Sequence, residues 1–150
     1  MTARVNLGKA CPNLYQQLAQ LDKLATEAAT SANLAAGLTH LLRLRASQIN
    51  GCAFCIRMHT RDALASGETS DRISVLPAWR ETSYFNAKER AALALVEALT
   101  LVAEGQLADE VYQEAAASLT QEEIAAIEWL TIVINAWNRV AVASRYPVGE

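Results

Sequence analysis

In the stretch 49-INGCAFCIRMHTRD-62, Cys52 and Cys55 stand three residues apart and His59 follows four beyond the second cysteine. Paired thiols at this spacing can hold a metal, pass electrons as a dithiol/disulfide couple, or simply pack as small apolar groups. At 100° per residue, Cys52, Cys55 and His59 fall within an arc of about 60° on one helix face, so all three address one small volume, while Phe54 points elsewhere. The Cα atoms of helical residues i and i+3 lie about 5 Å apart, inside the ~4.4–6.8 Å range that a disulfide tolerates, so Cys52 and Cys55 can close a bridge. Asn50-Gly51 reads as a helix end, which places both cysteines in or near the first turn of the next helix. Unpaired backbone N–H groups and the helix dipole favour anionic sulfur there. A lowered thiol pKa is not enough by itself. A drop from ~8.5 to ~6.5 raises the thiolate fraction at pH 7 about 25-fold, but the accompanying loss of nucleophilicity takes back roughly eightfold. A working thiol also needs a proton carrier, and His59, one turn from Cys55, is the residue type for it.

The elements that must position these residues read as helices throughout. Leu14, Leu18, Leu21 and Leu24 recur at helical spacing, and no segment alternates with period two, so no strand is expected. Pro12 opens a helix running to about residue 32, and a second from Asn33 carries Leu34, Leu38, Leu41, Leu42 and Ile49 to the Asn50-Gly51 break. The third begins at Cys52 and ends at Ser66-Gly67, followed by a short helical turn over 69–75 and a connector at Pro77-Ala78-Trp79. Asn86 with Glu89 forms a capping box for a helix closed by Gly105; Asp109 to Leu119 makes a short helix; Thr120 with Glu123 caps the longest one, Gln121 to about Ser144. Apolar residues spread around most of that last helix, from Ile124 to Val142, so it must be covered on nearly every side, by the core or by a subunit contact. Glu128, Asn135, Asn138 and Arg139 exclude it from hydrocarbon. The expectation is an all-α, single-domain bundle of about six to seven helices over residues 1–150.

Composition sets the outer limits. A chain of 150 residues with 52% apolar content fits one domain. A net charge of −3 with both signs scattered offers no basic stripe for nucleic acid. No segment has the apolar run of a signal peptide or a membrane span, which makes a cytoplasmic protein the expectation. Three cysteines suit a reducing compartment, where any disulfide is transient and chemical. Cys11, alone near the terminus, reads as incidental, and Glu97 and Glu128 as solvated or helix-paired.

The stretches 41-LLRLRASQINGCAFCIRMHTRDALASGE-68 and 76-LPAWRETSYFNAKERAALALVEALT-100, about a third of the chain, resemble the alkyl hydroperoxidase D-like branch of the carboxymuconolactone decarboxylase superfamily. The resemblance implies an all-helical fold assembled as trimers or hexamers. It also implies that Cys55 attacks the peroxide, that Cys52 resolves the product as a disulfide, and that His59 belongs to a proton relay. A hydroperoxide would be the substrate and an external dithiol, of lipoyl type or on a thioredoxin-like protein, the reductant. No bound cofactor and no resident metal are expected. Two positions depart from the family pattern. Where relatives often carry a glutamate twelve residues before the first cysteine, this chain has His40, which could itself serve as acid or base. Where fuller relays have a histidine between the cysteines, it has Phe54. Trp137, Asn138 and Arg139 also match a segment of close relatives and read as anchors of the last helix.

Two other functions stay open at this level. His40, Cys52, Cys55 and His59 form a two-cysteine, two-histidine set suited to a structural zinc, although one helix limits how three of them converge. A lactone decarboxylase, which the superfamily name suggests, needs a base and has no use for a CxxC pair.

Overall fold

The helices begin and end where the sequence supplies caps. The computed structural model describes residues 2–149. In chain order the elements are α1 (Leu7–Ala10), α2 (Pro12–Ser31), α3 (Ala36–Asn50), α4 (Ala53–Ala65), α5 (Ser70–Ser74), a 3-10 segment (Leu76–Glu81), α6 (Ala87–Thr100), α7 (Val102–Gly105), α8 (Asp109–Ser118) and α9 (Gln121–Ser144). Helix accounts for 78% of the chain and no strand occurs among the described residues, so the all-α expectation holds, with six long helices and four short ones. Both expected capping boxes are present: Asn86 with Glu89 at α6, and Thr120 with Glu123 at α9, each closing two orphaned N–H groups reciprocally.

The joint between α3 and α4 matters most for function. Gly51 sits in the left-handed region at φ 65°, a conformation that costs glycine nothing, and the Cys52 N–H returns to the Ser47 carbonyl at 3.0 Å. The chain thereby reverses in one residue, and Cys52 becomes the N-cap of α4.

Helix α9 runs through the centre against α2, α3 and α6. The main core joins Leu41, Leu42 and Leu44 of α3 to Leu93 and Leu95 of α6 and to Ile127 and Ile134 of α9, all essentially inaccessible to solvent. Each such side chain contributes about 1.5–3 kcal/mol. On α2, the leucines that mark the helix in the sequence are not the residues it buries. Leu14, Leu21 and Leu24 stay exposed, while Ala25 and Ala29 meet Ala126, Leu130 and Val133 of α9. Small residues allow the two helices to approach closely, and periodicity alone does not reveal which face does so. Coverage of α9 is likewise incomplete, since Trp129 and Ile132 remain half exposed. No helix among the described residues is long and apolar enough to cross a membrane.

Candidate functional site

A stripe on α3 prepares the site. His40, Arg43, Ser47 and Asn50 follow one another at three- and four-residue steps, an arc of about 80° on a helix whose other faces are leucine-rich. The stripe faces inward: Arg43 and Ser47 are buried, and His40 and Asn50 are partly so. Each member except His40 has a clear partner. Arg43 donates to Asp22 Oδ1 of α2 at 3.0 Å and to Thr26 Oγ1 at 2.6 Å. The Ser47 hydroxyl donates to the Arg43 carbonyl and accepts from Asn138 Nδ2 at 3.0 Å; Asn50 Nδ2 donates to Asn135 and Asn138, both at 2.9 Å. Buried amides in so complete a network hold a single orientation.

Helix α4 brings the thiols to this stripe. Cys52 and Cys55 are both about 2% exposed, are not joined by a disulfide, and pack against Ala141 of α9 with Phe54 and Tyr146 at the edge. The Cys55 sulfur hydrogen-bonds to both Cys52 and Asn138. Helical position alone predicted a stabilised thiolate, and for Cys55 burial reverses that expectation. Loss of solvent, then the hydrogen bond with Cys52, push its pKa up to about 12, against the opposing hydrogen bond from Asn138. The resting group is therefore a thiol, and its proton must leave as the reaction proceeds.

His59, one turn further along α4, is 6% exposed. Burial, with the Arg43 guanidinium and His40 nearby, holds its pKa down at about 3, so it is neutral at pH 7 and only weakly basic in the resting site. His40 is lowered as well, by burial first and then by Arg43, with Asp62 and Asp22 acting in the opposite direction. The two imidazoles lie 5.8 Å apart, ring centre to ring centre, at an interplanar angle of 30°. Nδ1 of each is buried with no hydrogen-bond partner, and His59 Nδ1 stands 3.8 Å from the Asp62 carboxylate. The residue in the family's glutamate position thus meets the α4 histidine in space.

A cavity of about 280 Å³ opens onto Cys55 and His59. Tyr15, Phe54, Trp137 and Tyr146 form much of its wall, with Asp22 and Arg43 as its charged end. Phe54, expected to point away, lines this cavity because its ring reaches beyond the helix face its Cα occupies, and it packs edge-on against Tyr146 at 5.2 Å. Trp137 anchors α9 against Tyr15, ring centres 5.0 Å apart, and lines the cavity too. All four sequence candidates, Cys52, Cys55, His59 and His40, are brought to one region. The zinc set of two cysteines and two histidines is not what converges. Among the described residues, those offering metal ligands within 4.8 Å of one another are His40, His59 and Asp62.

Sequence reading missed Arg43, Ser47 and Asn138 as neighbours of the site. For Arg43 and Ser47 the signal was present in the three- and four-residue spacing of polar residues along the leucine-rich α3, whereas Asn138 lies on α9 and read only as an anchor of that helix. Cys11 is exposed at the head of α2, one turn before Tyr15 of the cavity wall, and does not line that cavity.

The sequence pattern of the carboxymuconolactone decarboxylase family matches residues 12–98. An uncharacterised protein of Bacillus subtilis (strain 168), YdfG, is 34% identical over 143 residues, 95% of each chain. A crystal structure from Agrobacterium tumefaciens, of a protein of unknown function proposed as the antioxidant defence protein AhpD, superposes with a TM-score of 0.88 at 35% identity, covering 99% of this chain and 100% of that one. The apo debrominase Bmp8 shares the fold at a TM-score of 0.78 and 19% identity, over 95% of this chain and 74% of its own.

Proposed function

The chain belongs to the carboxymuconolactone decarboxylase family, in its AhpD-like branch, and from that premise we propose that it is a thiol-dependent peroxidase that reduces organic hydroperoxides through Cys55 and Cys52. The observation that carries this reading is the placement of the Cys55 thiol in the wall of a largely aromatic cavity, hydrogen-bonded to a second thiol and one helical turn from a neutral imidazole.

The chemistry follows from those positions. Cys55 loses its proton toward His59 directly or through one water, a transfer that is uphill in the resting site and is drawn forward as the departing alkoxide takes the proton up. The sulfur attacks the terminal peroxide oxygen, the O–O bond breaks, and the departing alkoxide takes up the proton as the alcohol. Cys55 is left as a sulfenic acid. The Cys52 thiol then attacks that sulfur, water leaves, and a Cys52–Cys55 disulfide forms; an external dithiol, lipoyl or thioredoxin-like, restores both thiols. Asn138 favours the anionic sulfur at each stage, and His40 passes the proton onward. A buried, high-pKa thiol suits a site whose reaction waits for the substrate. A lactone decarboxylase would leave the thiol pair without a task.

The exposed apolar residues of the neighbouring helices α2 and α9, Leu21 and Leu24 with Trp129 and Ile132, support the homo-oligomer, a trimer or hexamer, that the family likeness implies.

Treatment of reduced protein with one equivalent of cumene hydroperoxide is expected to consume two thiols per chain, and peptide mass mapping to find the Cys52–Cys55 bridge. Cys55→Ser should abolish peroxide consumption, while Cys52→Ser should stall at a trappable sulfenic acid. Retention of both thiols, or a bridge to Cys11, would sink the reading.

A further inference from the structure

We propose that His40, His59 and Asp62 form a binding site for a divalent transition-metal ion of the zinc class. The inference goes beyond the peroxidase reading and does not rest on it, because it concerns binding by residues other than the cysteines.

Three observations carry it. One ligand atom from each of the three residues lies within 4.8 Å of the others. Two imidazoles and one carboxylate, with further positions open, are the donors that borderline divalent metals take at exchangeable or catalytic sites. Second, Nδ1 of both histidines is buried without a partner, although buried polar atoms are nearly always paired. Neither tautomer removes that deficit: a protonated Nδ1 is an unused donor and a bare one an unused lone pair. Third, the gap between His59 Nδ1 and Asp62 Oδ2, 3.8 Å, is too long for a hydrogen bond. It is within about 0.5 Å of the ligand–ligand separation that metal bonds of ~2.0–2.2 Å produce in a tetrahedral site.

The charges around the site are mixed. Arg43 opposes positive charge on both imidazoles, while Asp62 and Asp22 favour it on His40. Arg43 is itself paired with Asp22 at 3.0 Å. The Asp62 side chain is 47% exposed, which provides a route in from solvent.

The test uses the full chain with both thiols of the pair removed, Cys52→Ser/Cys55→Ser, titrated with Zn2+ by calorimetry in competition with a chelator. One equivalent per chain is expected, as in the reduced parent. Asp62→Asn should weaken binding at least tenfold, and His59→Gln and His40→Gln, confirmed folded by circular dichroism, should abolish it. Co2+ should give d–d bands without a sulfur-to-cobalt charge-transfer band. Binding lost with the cysteines, binding that survives His59→Gln, or no binding in the parent would each overturn the proposal. Peroxide-driven disulfide formation in metal-free protein is a separate readout, so the two readings fail independently.

Discussion

Two clusters of partly buried polar groups lie on opposite faces of the same helix, α3, and they are built on opposite rules. Around Glu97 of α6, every strong group is paired. One carboxylate oxygen accepts from Arg45 Nε and Trp79 Nε1, both at 2.8 Å, and the other from Arg80, whose guanidinium also lies over the Trp79 ring. Burial would push the Glu97 pKa up, but the hydrogen bonds from Arg80, Arg45 and Trp79 outweigh it, and the carboxyl is held below its ordinary range. Glu97 is thus neither solvated nor paired within its own helix, as the sequence suggested, but tied across three elements. Around Cys55, burial wins instead: the thiol is raised, both imidazoles are lowered, and two ring nitrogens lack partners. The contrast separates groups tied together across the fold from groups left neutral and unsatisfied. Unsatisfied groups cost stability, and sites that keep them are candidates for function.

Substitution on each side should break the comparison differently. His59→Ala is expected to lower peroxide turnover by ~10²–10⁴, the usual loss on removing a general base, while urea unfolding shows stability unchanged or raised because an unpaired buried group has gone. Glu97→Ala should do the reverse. It strands Arg45 and the Trp79 N–H and should cost about 3 kcal/mol in the same unfolding measurement, with turnover of the folded fraction within about twofold of the parent. If His59→Ala instead destabilised as much as Glu97→Ala, His59 would be part of the scaffold.

Asn138→Ala tests the residue that belongs to both kinds of region. It leaves Ser47 and Asn50 short of partners, for an expected loss of about 1–3 kcal/mol, and it removes the donor that favours the Cys55 thiolate. Alkylation of Cys55 by iodoacetamide should slow about tenfold. An unchanged alkylation rate with reduced stability would make Asn138 structural alone.

The smallest effect is in the acid limb of stability. The folded pKa of His59, about 3, lies below the ordinary 6.5, so the unfolded chain binds the proton first. Its contribution is present above about pH 6.5 and is lost as pH falls toward 3, at no more than ~1.4 kcal/mol per pH unit. Glu97, also depressed, contributes above its ordinary 4.5 and loses that contribution only at lower pH. Between pH 6.5 and 5 the histidines alone should therefore act. Unfolding titrations should show a slope in that window that shrinks in His59→Ala and persists in Glu97→Ala.

The sequence by itself determined the helices, because caps, glycine breaks and helical periodicity are local, and each is readable within a few residues. The same locality made the thiol pair and its histidine legible, since Cys52, Cys55 and His59 share one face of one helix. Tertiary structure decided what that face meets. Helical position predicts a stabilised thiolate at Cys55, and only packing against Ala141, Phe54 and Tyr146 reveals that desolvation outweighs it. His40 and His59 lie nineteen positions apart, and their meeting depends on the turn at Gly51 that lays α4 against α3. Asn138 reaches Cys55 from 83 positions away along the chain. A pKa depends on everything within a few ångströms of the group, and those neighbours are fixed when the helices pack.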